Sequence, residues 1–242
     1  MNGEPHWLTA HRIRGFPSAF ERYVRWLVRR SFATVWIHRD AERLPPSGYV
    51  AAANHSSWWD GFIPFLLHRQ QRPDAPFAIM MHDAELRRFP IFRWAGAFSV
   101  DSRSPRTGRA SIYYAGDEAR NGAGVWIFPQ GRFQRNARAE DFSSGFVHAA
   151  RRAGVPIAPV AMQFLMTEKQ RPEAFVDIAP TVDASLRDAR VRTAAAIDER
   201  LQRIAAIVES GTVASHFFPL FAGVAGVDNG VATLLKPLRR WL

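Results

Sequence analysis

His55 and Asp60 stand with four residues between them directly behind a short apolar run, Tyr49 to Ala53. Histidine is the side chain best suited to take a proton near neutral pH. A carboxylate close by can hold one ring nitrogen and leave the other free as a base, the logic of a Ser-His-Asp triad without its serine. A histidine at the C-terminal end of a strand, where the chain enters a helix, is where α/β domains place working groups. The spacing by itself is weak. With 8 histidines and 12 aspartates in 242 residues, about 0.4 such pairs arise by chance. Read alone, Asp60 is equally well a helix cap and His55 an unrelated loop residue. A second candidate follows another apolar run: Phe128, Pro129, Gln130, Gly131 and Arg132. A Pro-x-Gly turn after a strand exposes backbone N–H groups, and the adjoining arginine can bind an anion. By itself this stretch reads rather as an ordinary turn with a solvated arginine.

The elements that must position these residues alternate. Pro45-Pro46-Ser47-Gly48 is a break. Strands are predicted at Tyr49 to Ala53, Phe77 to Met81, Phe98 to Val100, Val125 to Phe128, Pro156 to Phe164 and Ala174 to Ile178. Helices are predicted at Phe62 to Leu67, on both sides of Pro90, and over Thr107 to Arg120, Phe142 to Ala153 and Ala184 to Ser210. This alternation predicts an α/β fold with a mostly parallel sheet flanked by helices. Ahead of it, Phe16, Phe20, Tyr23, Val24, Leu27 and Val28 recur at helical spacing with Arg22, Arg25, Arg29 and Arg30 between them. That segment reads either as an interfacial amphipathic helix or as a surface helix docked on its own domain. Trp7, Trp26 and Trp36 favour the membrane interface. The expected organisation is an N-terminal amphipathic membrane-associating arm at 1–44, a catalytic domain at 45–214 and a C-terminal helical tail at 215–242.

Composition narrows the chemistry. The chain has 47% apolar residues, which excludes a disordered protein. It has no cysteine, which removes disulfide scaffolds, zinc-thiolate sites, iron–sulfur clusters and a cysteine nucleophile together. The net charge is +10, from 32 basic and 22 acidic residues. Between Arg87 and Arg138 lie 10 arginines against Asp101, Asp117 and Glu118, a local +7. Such a balance attracts nucleic acid, anionic membrane or phosphorylated substrates. The arginines are not interleaved into a nucleic-acid motif, and such a protein would leave His55 and Asp60 without a task. No run of 18 apolar residues exists and the N-terminus lacks a signal-peptide core. A peripheral place on the cytoplasmic face of a membrane is therefore expected.

Four segments taken together carry a resemblance. Asn54-His55-Ser56-Ser57-Trp58-Trp59-Asp60 looks like an Asn-His-x-Ser-x-x-Asp block. Gly96-Ala97-Phe98-Ser99-Val100-Asp101-Ser102-Arg103 is similar to a Gly-x-x-x-Ile-Asp-Arg block. Phe128-Pro129-Gln130-Gly131 resembles Phe-Pro-Glu-Gly, and Val155-Pro156-Ile157-Ala158-Pro159-Val160 matches Val-Pro-x-x-Pro-Val. In this order and spacing, over residues 45–165, they resemble the glycerolipid (lysophospholipid) acyltransferases, PlsC-like and 1-acylglycerol-3-phosphate acyltransferase-like.

The resemblance implies transfer of an acyl group from acyl-CoA or acyl carrier protein to a lysophosphatidate or lysophospholipid hydroxyl. It makes His55 the general base and Asp60 the residue that orients it. Ser57 would bond locally rather than act as a nucleophile. The second and third blocks would hold the acceptor phosphate, through Arg103 and through Phe128, Pro129, Gln130, Gly131 and Arg132. The implied partners are a lipid acceptor, a thioester donor and an anionic membrane surface, with no nucleic acid. No metal and no cofactor beyond the acyl donor are implied. The departures are Gln130 for glutamate, Arg132 directly after Gly131 without an intervening threonine, the extra Ser102, and Phe142-Ser143-Ser144-Gly145 where a Phe-Lys-x-Gly segment is usual. They leave room for a non-phosphorylated acceptor such as a glycosylated terpenoid or an amino-acid lipid.

Overall fold

The computed structural model describes residues 7–101, 104–134 and 142–223. Eight strands form one sheet: β1 (Thr34–His38), β2 (Tyr49–Ala53), β3 (Phe77–His82), β4 (Ala97–Val100), β5 (Gly124–Ile127), β6 (Ile157–Leu165), β7 (Glu173–Ile178) and β8 (Phe217–Ala222). Their order is β4-β3-β5-β2-β6-β7-β1-β8. All pairings are parallel except β6 with β7 and β1 with β8. The sheet is mixed but mostly parallel, as the alternation of elements predicts.

The two faces are covered by different helices. One apolar cluster joins Ala51, Ala53, Val160 and Val176 to Val24 and Val28 of α1 (Phe16–Ser31) and to Ile63, Phe65 and Leu66 of α2 (Phe62–Gln71). Two short helices, α3 (Asp83–Arg88) and α4 (Phe92–Ala95), lie on that side with Leu86 and Ala95 buried. The other cluster joins Val50, Ala52, Val125 and Ala161 to α5 (Pro105–Arg120), α6 (Gly145–Ala153) and α7 (Ala189–Glu209). Strand β2 is buried at all five positions. Alanine and valine suit it, because helices press on both of its faces and a fully covered strand has no solvent side. Its neighbours are β5 and β6, and the connecting helices α2 and α6 lie on opposite faces. The C-terminal end of β2 is therefore the place where an open α/β sheet forms a crevice.

Two elements differ from expectation. Residues 34–38 form a strand of the main sheet, next to β7, although they fall in the segment expected to be a separate arm. Residues 217–222 form the antiparallel edge strand β8 after a single turn of helix, α8 (Val213–His216), where a helical tail is expected from 215. Strand β8 pairs with β1 along its length, so the apolar stretch closes the sheet rather than an independent helix. The rest of that tail, 224–242, lies outside the described residues. Helix α7 begins at Ala189, five residues later than predicted, because the Ser185 N–H is taken by the Asp183 carboxylate at 2.8 Å and a turn forms there instead.

The predicted helix at 16–30 is α1, and it is docked on its own domain. Val24 and Val28 are fully buried, and Phe20 packs against Phe62, Phe65 and Phe92. Its other face is open: Tyr23 and Trp26 are 53% and 52% exposed and lie among exposed Arg22, Arg29 and Arg30. Of the three tryptophans read as interfacial, only Trp26 is exposed. Trp36 donates its indole N–H to Glu173 at 2.9 Å, and Trp7 packs edge-on against Tyr114. No described helix is long and apolar enough to cross a membrane.

Candidate active site

The loop leaving β2 is fixed first by Asn54. Its side chain is fully buried and clamps Met162 of β6 twice, donating to the carbonyl and accepting from the N–H, each at 2.8 Å. An asparagine amide mimics one peptide unit, so it extends the β2–β6 ladder one step past the end of the strand. The next residue, His55, is thereby presented at the rim of the sheet.

Asp60 sits in the short 3-10 helix Trp58–Gly61 and is fully buried. Its Oδ2 accepts three hydrogen bonds: from His55 Nδ1 at 2.9 Å, Ser56 N–H at 2.6 Å and Ser57 N–H at 2.8 Å. Ser57 completes a capping box by accepting from Trp59 N–H at 3.2 Å. The aspartate is thus both a helix cap and the hydrogen-bond partner of the histidine. Because Oδ2 faces Nδ1, the imidazole proton belongs on Nδ1 and Nε2 is the basic nitrogen. Nε2 has no hydrogen-bond partner among the described residues, and the His55 side chain is 22% exposed. Ser57 uses its hydroxyl on the cap, consistent with the expectation that it is not a nucleophile.

The second wall comes from the neighbouring strand. Phe128 follows β5, and its ring stacks on His55 with centroids 4.5 Å apart and planes 19° from parallel. Pro129 and Gly131 make a tight turn: Gly131 N–H donates to Phe128 C=O at 3.0 Å, with Gly131 at φ +65°, a left-handed value that favours glycine. Ser143 N–H donates to Pro129 C=O at 3.0 Å and ties the turn to the start of α6. The buried Gln130 accepts from the backbone N–H of His55 through Oε1 at 2.5 Å and donates through Nε2 to Gln134 Oε1 at 2.8 Å. Gln134 N–H in turn donates to His55 C=O at 2.9 Å. Both backbone groups of the histidine are therefore held by the 130–134 turn. Phe133, 61% exposed, covers the second face of the imidazole at 4.3 Å.

Of the sequence-derived candidates, His55, Asp60, Phe128, Pro129, Gln130 and Gly131 meet at one site, and Arg132 lies exposed on the same turn. Arg103 lies outside the described residues. Several arginines of the central basic stretch are occupied elsewhere: Arg87 by Asp83, Arg93 by the carbonyl of Thr9, Arg120 by Asp117. Asn54, Phe133 and Gln134 were missed as site residues. Asn54 was visible only as the first residue of its block, and Phe133 only as an aromatic just past a Pro-x-Gly turn. No group of three or more metal-ligating side chains occurs among the described residues.

The chain is similar to known proteins over the part that carries this site. The family model described as Acyltransferase matches residues 22–163, more than half of the chain. A 1-acyl-sn-glycerol-3-phosphate acyltransferase of Pseudomonas aeruginosa is 30% identical over 150 residues, 58% of this chain and 54% of that protein. The chain thus spans about half the length of that curated relative. The crystal structure of the 1-acyl-sn-glycerophosphate acyltransferase PlsC from Thermotoga maritima superposes with a TM-score of 0.59 at 19% identity, covering 78% of this chain and 80% of that one, which establishes the likeness of fold. With that family model spanning both the His55–Asp60 loop and the Phe128–Gly131 turn, the chain belongs to the acyltransferase family.

Proposed function

We propose that the protein moves a fatty acyl group from acyl-CoA or acyl carrier protein to the hydroxyl of a lysophosphatidate or lysophospholipid. The observation that carries this reading is the 2.9 Å bond between His55 Nδ1 and the fully buried Asp60, with Nε2 left open. In the proposed reaction Nε2 removes the hydroxyl proton as the oxygen attacks the thioester carbonyl. The tetrahedral oxyanion then collapses, the C–S bond breaks, and the thiolate takes the proton back from the imidazolium. Asp60 stabilises that imidazolium from a site closed to water, where a charge partner acts most strongly. No acyl-enzyme, metal or resident cofactor takes part. The Pseudomonas relative, a 1-acyl-sn-glycerol-3-phosphate acyltransferase, supports a phosphorylated acceptor, with Arg132 and Arg103 as its expected phosphate ligands.

The test is purified protein with acyl-CoA and 1-acylglycerol-3-phosphate, the product identified by mass spectrometry. His55→Ala is expected to lower kcat/KM by about 10²–10⁴-fold. An unchanged rate in that variant would falsify the mechanism. A second reading, a non-phosphorylated acceptor, is favoured by Gln130, a neutral amide bonded to the His55 backbone and the Gln134 side chain. Arg132→Ala separates the two, raising KM only for an acceptor that carries phosphate.

Membrane attachment is proposed through the open face of α1. Tyr23 and Trp26 provide amphipathic rings and Arg22, Arg29 and Arg30 provide charge for anionic headgroups on the cytoplasmic side. Flotation with vesicles containing anionic lipid, but not with purely zwitterionic ones, is the expected result.

A further inference from the structure

We infer that Phe133 determines acceptor specificity by receiving, on its open face, the aliphatic limb next to the hydroxyl that is acylated. The inference rests on the assignment of His55 as the general base. The His55 ring is already oriented without Phe133. Asp60 fixes Nδ1, Phe128 covers one face, and Gln130 and Gln134 hold the backbone on both sides. Phe133 is surplus to that task and is costly where it stands, since a ring 61% exposed keeps most of its apolar surface in water. One of its faces lies on the imidazole at 4.3 Å with the planes 37° apart, so its open surface lies beside the ring that carries the reactive nitrogen. A hydroxyl within hydrogen-bond reach of Nε2 carries its carbon substituents to within a few ångströms of that ring. An isolated exposed phenyl group beside a polar reactive atom matches a substrate that is polar at one point and apolar beside it. The acceptor's charged end then points away from Phe133.

Two water-soluble acceptors that share the glycerol phosphate end but differ in this limb test the idea: 1-hexanoylglycerol-3-phosphate and glycerol 3-phosphate. Phe133→Ala is expected to lower the ratio of kcat/KM for the acylated over the plain acceptor by about 3- to 10-fold, mainly through KM. Phe133→Leu, which keeps an apolar surface, is expected to restore most of the ratio. The pH profile of kcat should hold its shape, since the ring is not the base. Equal loss on both acceptors would show that Phe133 only props up His55, and an unchanged ratio would show that it touches no substrate; either outcome overturns the inference. Calorimetric binding of the same two acceptors, without donor, reads the same ratio independently of turnover. If the wild-type protein acylates neither acceptor, the proposed function fails while the binding ratio still decides the role of Phe133.

Discussion

Strand β2 has a histidine at each end, and the two are wired in opposite ways. Beyond its C-terminal end, His55 gives Nδ1 to a buried carboxylate and leaves Nε2 without a partner among the described residues, with 22% of the side chain exposed. At its N-terminal end, Tyr49 meets His68, from the last turn of α2, at 2.8 Å from Nδ1, while His68 Nε2 lies 3.0 Å from the carbonyl of Ala75. A carbonyl can only accept, so His68 carries its proton on Nε2 and accepts from the tyrosine hydroxyl on Nδ1. Both nitrogens are satisfied and the side chain is fully buried. Burial lowers the His68 pKa from its usual value to about 4 and raises that of the Tyr49 phenol. The same side chain is thus the proposed base at one end, with Nε2 unbonded among the described residues, and a neutral structural strut at the other. The difference lies in what meets the ring nitrogens: a carboxylate on one alone at His55, a hydroxyl and a carbonyl on both at His68.

The sharpest way to break this contrast is to exchange the losses. His55→Ala should remove about 10²–10⁴-fold of kcat/KM. His68→Gln should change the rate per folded molecule by less than about twofold, with both read by steady-state kinetics. Equal rate losses would make the distinction empty. Next in size is Asp60→Asn, which removes the anion facing Nδ1 and disturbs the capping box. It should cost up to about 10⁴-fold in kcat, together with about 1 kcal/mol of stability, measured by denaturant titration.

The structural histidine should reveal itself through pH. An unfolded histidine titrates near its usual value of 6.5, and His68 in the folded chain near 4. Between these values the unfolded chain binds the extra proton. The stability His68 contributes is therefore complete above about pH 6.5 and drains away as pH falls toward 4. The loss amounts to about 3 kcal/mol. Urea midpoints at pH 7 and pH 4 should differ less in His68→Gln than in the wild type; an identical pH dependence would break the assignment. The smallest effect concerns Gly124, the first residue of β5. A Cβ there would lie 2.5 Å from the Tyr49 ring and 2.7 Å from His68 Nδ1. Gly124→Ala should cost about 1–3 kcal/mol of stability with little change in kcat, separating the strut from the base by thermal melting and rate together.

Much of this was legible before any coordinates. Six of the eight strands follow from apolar runs bounded by turn residues, because buried parallel strands flanked by helices leave a strong local pattern. Strands β1 and β8 were not. Thr34–His38 is five residues long and becomes a strand only because β7 and β8 lie beside it, its partners more than 130 positions downstream. A segment of that length has no local signal that decides its state. For the site, the His55–Asp60 spacing and the Phe128–Gly131 turn were visible as separate fragments, and the four-block order joined them. Phe133 and Gln134 were not visible, since nothing in the types or spacing of a polar and an aromatic residue after a turn says that they face a histidine 78 and 79 positions earlier.

The sequence by itself determined the chemistry available: a histidine and an aspartate at one strand end, no thiol, a surplus of arginine, and an alternation of elements that forces a mostly parallel sheet. Those follow from composition and from periodicities that a chain carries locally. Which histidine keeps a ring nitrogen unbonded among the described residues depends instead on contacts made on folding. The tautomer of each ring, its exposure and the groups on its faces are set by contacts between residues far apart in the chain, such as Gln130 on His55 and the close approach of Gly124 to Tyr49 and His68. No local pattern encodes these, because a ring nitrogen becomes free or satisfied only when the strands on either side of it have come together.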